Sequence, residues 1–142
     1  MKKHMVIAAL LSVSLLTACG NSYDDSLPET AVGLETSEFV NENNKEDTYS
    51  AITYNSRVYI VYGSGRAKDN EYTECIGYLI QDGKEQKDVT FWQLRSVHND
   101  DYIVSRDNGW MSQPMFYRAV DTKGKDVYTP DYIDSLDYEY WK

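Results

Sequence analysis

The stretch YSAITYNSRVYIVY, Tyr49 to Tyr62, decides the fold. Two runs dense in β-branched and aromatic residues, Tyr49–Tyr54 and Arg57–Tyr62, flank the dipeptide Asn55-Ser56. Such residues suit a pleated, half-buried strand, and a two-residue break between two such runs reads as a hairpin. Ser at a position that asks for positive φ makes this turn weaker than Asn-Gly. In the second run Val58, Ile60 and Tyr62 alternate onto one face. Gly63, Ser64 and Gly65 then end it.

Downstream the same pattern recurs. Cys75–Ile80 is a third run, closed by Asp82-Gly83, and Val89–Arg95 is a fourth. Tyr102–Arg106 is a fifth, entered through Asn99, Asp100 and Asp101 and left through the turn signal Asp107-Asn108-Gly109. Met115–Val120 is a sixth; Asp121 to Lys125 turns the chain again, and Val127 and Tyr128 extend a hairpin. Thr129-Pro130 fits an N-cap with proline at the first helical position, which predicts one to two helical turns placing Ile133 and Leu136 toward the core. The runs do not alternate with long helices, which argues against a parallel α/β sheet. The expected fold is mainly β: a small antiparallel barrel or sandwich of five to seven strands with a short C-terminal helical turn.

Upstream the chain is of another kind. Lys2 and Lys3 precede an apolar run from Met5 to Leu16, and small residues lead into Cys19. This is the build of a secretory signal peptide, too short for a permanent span. Leu16-Thr17-Ala18-Cys19 resembles the lipobox of bacterial lipoproteins. The resemblance implies cleavage between Ala18 and Cys19, a thioether-linked diacylglycerol on Cys19, and acylation, by palmitate for example, of the new amino terminus. It implies a lipid-anchored protein of the cell membrane, facing the extracytoplasmic side. Two or three acyl chains hold a protein stably, at roughly 0.8 kcal/mol per buried CH₂. Beyond the lipobox the chain resembles other small bacterial lipoproteins only loosely.

Three segments follow from this: a signal peptide at 1–18, a lipidated Cys with an acidic flexible tether at 19–48, and a β-rich globular domain at 49–142. The tether reading rests on eight acidic residues against Lys45, with Leu27, Ala31, Val32, Leu34, Phe39 and Val40 scattered without period. Such a segment does not bury enough surface to offset its ordering entropy. The competing reading docks Val32–Val40 on the domain as an edge segment.

The whole chain carries a formal net charge of −9; without Lys2 and Lys3 the 14 basic residues fall to 12 against 23 acidic ones, a net of −11. That balance argues against nucleic acid as a partner, because Lys and Arg to neutralise phosphates are too few. It favours cationic partners.

Little in the sequence points to catalysis. With Cys19 lipidated, Cys75 has no disulfide partner. It reads as a buried strand thiol; a nucleophile would need His98, the one histidine of the mature chain, as its base. His98, Asn99, Asp100 and Asp101 gather possible metal ligands, yet Asn and Asp are also what turns prefer. Asp121-Thr-Lys-Gly-Lys-Asp126 fails as a calcium loop, since its third and fifth positions are Lys123 and Lys125. Gly63-Ser64-Gly65-Arg66 lacks the ending of a phosphate-binding loop, and no serine has a nucleophile-elbow setting. No catalytic, metal or cofactor residue is assigned, and the protein is read as a non-enzyme.

Thirteen tyrosines and three tryptophans are the remaining signal, one that serves either as core in a small β domain or as an exposed stacking surface. The candidates for such a surface are Trp110, Trp92, Tyr138 and Trp141, with Tyr117 as a further member. Trp110 leads because it follows the Asp107-Asn108-Gly109 turn. The expectation is a binding or accessory module for an envelope protein or glycan. The alternative is an inhibitor or immunity lipoprotein that neutralises a cationic lytic enzyme or bacteriocin.

Overall fold

Two tight hairpins set the register from which the rest follows. In the computed structural model, which describes residues 27–108 and 112–142, Asn55 and Ser56 both take left-handed backbone angles, φ 51° and 61°. They join β2 (Asn44–Tyr54) to β3 (Arg57–Ser64). The twist of the paired strands requires such a turn, so Ser56 adopts it despite its side chain. Asp82 and Gly83, φ 52° and 73°, do the same between β4 (Tyr72–Gln81) and β5 (Lys84–Leu94). The other strands are β1 (Val32–Asn41), β6 (Tyr102–Asp107), β7 (Met115–Ala119) and the two-residue β8 (Asp134–Ser135).

Seven strands pair in the order β2-β1-β4-β5-β6-β7-β3, and β2 pairs with β3, which closes the ring. A closed ring with an odd number of strands cannot be antiparallel throughout. Among the described residues the one parallel contact is β1 with β4, from Val32 opposite Gly77 to Glu35 opposite Ile80. Two glycines permit it: a Cβ on Gly77 would meet the Val32 carbonyl oxygen, and one on Gly33 the Ile80 side chain. β8 adds to β3 at Gly63 and Ser64.

Every barrel strand contributes one buried residue to the same interior cluster: Leu34, Ile52, Tyr59, Ile76, Phe91, Ile103 and Ala119. Two further clusters complete the core. In the first, Leu94, Tyr102, Val104 and Phe116 pack with Ile133, Tyr132 and Val127 of the C-terminal segment. By strand alternation Tyr102 and Val104 point away from Ile103, so the C-terminal segment covers the outside of the barrel there. In the second, Tyr49, Ala51 and Ile60 are sealed by Tyr138, Tyr140 and Trp141. Hydrogen bonds fix this tail: Tyr140 N donates to Tyr49 Oη at 3.1 Å, and Trp141 Nε1 donates to the Val61 carbonyl at 3.0 Å.

The mainly β barrel and all six predicted runs are present. Two expectations are corrected. Of the segment at 19–48, read as a flexible tether, Val32–Asn41 forms β1 and residues 44–48 open β2, while the signal peptide at 1–18 and residues 19–26 lie outside the described residues. β1 is not an edge either, since it lies between β2 and β4. Leu34 and Phe39 anchor it on its two faces, the first in the barrel interior and the second against Tyr140. At Thr129-Pro130 the expected helix gives way to one turn, closed by Ile133 N on the Pro130 carbonyl at 3.1 Å, and then to β8, so that Ile133 is buried while Leu136, expected in the core, is exposed. Among the described residues the helical turns are 3₁₀ turns at Asp69–Glu71, Val120–Thr122 and, near the C-terminus, Glu139–Trp141. Among the described residues no helix is long and apolar enough to cross a membrane.

Candidate functional site

Arg57 opens β3 at the end of the barrel where β1 begins and β2 ends, the base. Its guanidinium has five N–H donors in a fixed plane, and five acceptors meet them. Nε and Nη2 donate to the two oxygens of Asp121, at 2.9 and 2.7 Å. Nη2 also donates to Asp101 Oδ1 at 3.1 Å, and Nη1 donates to the carbonyls of Asn99 and Asp100. The hydrogen bond from Arg57 holds the Asp121 carboxyl below its usual range, and the same bond raises the guanidinium above its own.

The loop before β6 is fixed from within as well. Asn99 and Asp100 both take left-handed angles, φ 57° and 51°, a conformation Asn and Asp tolerate. Tyr59 Oη donates to the Asp100 carbonyl at 2.7 Å, and burial pushes that phenol up to about 12. Gln93 Nε2 donates to Asp100 Oδ2 at 3.1 Å. On the other side, Arg118 Nε donates to Thr122 Oγ1 at 2.8 Å, and Thr122 Oγ1 donates to the Ala119 carbonyl at 2.6 Å. Gly124, φ 75°, turns the loop.

Between these loops lies a pocket of ≈ 540 Å³. His98, Asn99 and Asp101 form one wall; Asp121, Lys125 and Asp126 form another; Arg57 ties the two and Tyr128 stands at the rim. Tyr128 is 60% exposed. Every other described aromatic residue is half-buried or buried.

The two segments that the sequence presents as turns, His98–Asp101 and Asp121–Asp126, are turns, and the fold brings them together. Among the described residues no group of three His, Cys, Asp or Glu side chains is placed to hold a metal ion. Cys75 is buried in β4, where burial raises its thiol, while His98 lies exposed on the pocket. Gly63 and Ser64 pair with both β7 and β8 rather than opening a phosphate loop.

The aromatic candidates divide. Cys19 and Trp110 lie outside the described residues. Tyr138 and Trp141 seal the outer face of β2 and β3, and Tyr117 packs edge-on against Phe91 at 5.8 Å. Trp92 is half-buried, its Nε1 donating to Thr90 Oγ1 at 2.9 Å, with the Arg106 guanidinium 5.7 Å from its ring and 4.1 Å from that of Tyr72. Val127 and Tyr128, expected to extend a hairpin, lie outside any strand, and Tyr128 is the exposed ring among the described residues. Its position next to a polar turn, the argument applied to Trp110, was the available signal. Comparison with protein-family models, curated proteins and solved structures finds no match for this chain.

Proposed function

We propose that this protein is a lipid-anchored, extracytoplasmic lipoprotein whose barrel is a non-enzymatic binding module for an envelope glycan or protein. The anchor rests on Leu16-Thr17-Ala18-Cys19. The binding role rests on one observation: a polar pocket at the base of the barrel, its walls cross-linked by hydrogen bonds, with a solvent-exposed tyrosine on its lining. An exposed ring beside fixed hydrogen-bonding groups suits recognition, since ring and walls lose little freedom when a ligand arrives. A photo-crosslinking residue in place of Tyr128 should capture an envelope component in intact cells, and the same residue in place of Leu136 should not. Equal capture at both positions counts against the pocket. Cys19→Ser should leave unprocessed precursor and abolish partition into detergent; unchanged processing would remove the anchor from the reading.

A second reading is favoured by the β1–β2 hairpin, where Glu35, Glu38, Glu42 and Glu46 are all exposed. Such a surface speeds encounter with a cationic lytic enzyme or bacteriocin. Reversing two of these charges should then slow association with the target and flatten its salt dependence, with little effect on dissociation.

A further inference from the structure

We infer that the basal pocket is a saccharide site that takes a neutral, hydroxyl-rich sugar unit, with Tyr128 as its stacking face. The inference rests on the reading of the barrel as a binding module and names its ligand class.

The ring comes first. Tyr128 sits at 60% exposure while the other described aromatic residues are built into the three cores or the surface stacks. A sugar offers a face of C–H groups, and the negative face of an aromatic ring attracts their positive edges while both surfaces leave water.

The walls come second. A hydroxyl donates one hydrogen bond and accepts two, so its site needs both kinds of partner. Lys125 supplies a donor, Asp101 and Asp126 supply acceptors, and Asn99 and His98 supply either. Arg57, with its donors already met, acts as the frame that fixes these groups.

Charge decides between ligand classes. The pocket holds three carboxylates and two permanent cations. Asp101 and Asp121 are answered by Arg57, and Lys125 neighbours Asp126 in sequence. One net negative charge is left on the lining, which disfavours a phosphate and offers a polycation only a single unmatched carboxylate. The volume of ≈ 540 Å³ lies within the roughly 300–1,000 Å³ of small-molecule sites.

The test uses the full chain purified in detergent. It is titrated with three neutral tetrasaccharides, built from N-acetylglucosamine, β-linked glucose and mannose, and with tetralysine as the cationic probe. Binding is read by calorimetry and by amide chemical shifts. At least one tetrasaccharide should bind, with shifts in the 98–101 and 121–128 segments. Tyr128→Ala should weaken it about tenfold, the scale of one lost stacking contact. Tyr128→Phe should stay within about threefold, and Tm should hold in both variants. If none of the tetrasaccharides binds while tetralysine binds through Tyr128, the saccharide inference falls and the binding-module reading survives. If no probe binds and Tyr128 captures nothing in cells, both fall.

Discussion

Arg57 and Asp121, 64 residues apart in the chain, form a two-point ion pair at the base of the barrel. The geometry is the parallel fork of guanidinium and carboxylate, stronger and more directional than a single contact. It joins the first residue of β3 to the loop after β7, and through Asp101 to the loop before β6. The base therefore behaves as one piece, and its stability and its shape are linked.

Removing the guanidinium should be costly. Arg57→Ala leaves Asp101, Asp121 and two loop carbonyls without their donor, and hydrogen bonds to charged groups contribute about 1.5–3 kcal/mol each at the upper end. A loss of about 2–4 kcal/mol is expected, with partial solvent exposure as the moderating factor. Urea unfolding measures it. Arg57→Lys should recover only part, because an ammonium does not span both oxygens of Asp121.

Acid should weaken the same joint. The Asp121 carboxyl is held below its usual range by Arg57, so its contribution is present above the unfolded pKa and is lost as pH falls through the lowered one. Stability measured from pH 6 downward should fall, and Asp121→Asn should show a shallower fall from a lower starting point. Parallel curves would remove Asp121 as a source of acid sensitivity.

Alkali should act through buried phenols. Burial pushes Tyr59 and Tyr132 up to about 12 from 10.0. Their contribution is intact below pH 10 and is lost as pH rises through the higher value. Ultraviolet titration should show these two ionising only as the barrel unfolds, and Tyr59→Phe should remove part of the alkaline fall in Tm while losing the hydrogen bond to the Asp100 carbonyl.

The Cys75 thiol should be silent in the native state. It is 4% exposed, and burial raises it. A thiol reagent should label it at a rate set by opening of the barrel, and at once in denaturant. Rapid labelling of native protein would place Cys75 in a reactive setting instead.

The strands were legible because their signals are local. Tyr49–Tyr62 contains both arms of a hairpin and its turn, and Asp82-Gly83 marks another. β1 was hidden because half of its ten residues face water, Glu35 and Glu38 among them, so its composition resembles a linker. Only its long-range pairing with β2 and β4 makes it a strand. The same reason hid the pocket. His98–Asp101 and Asp121–Asp126 read correctly as turns, but the contact that unites them runs through Arg57, distant in sequence from both. Tyr138 and Trp141 were read as candidates for a surface because nothing in the sequence says that the tail folds back across β3.

The strand that escaped the sequence also sets an orientation. Val32 opens β1 at the same end of the barrel as Arg57, because β1 runs antiparallel to β2 and β2 turns into β3 there. Val32 lies thirteen residue steps beyond Cys19, and fully extended these reach at most about 43–47 Å. With lipid on Cys19, the base of the barrel, and the pocket with it, would stay within about that distance of the bilayer. The ligands within its range would then be those of a thin shell next to the membrane, and a receptor on the far side of a thick wall would lie out of reach.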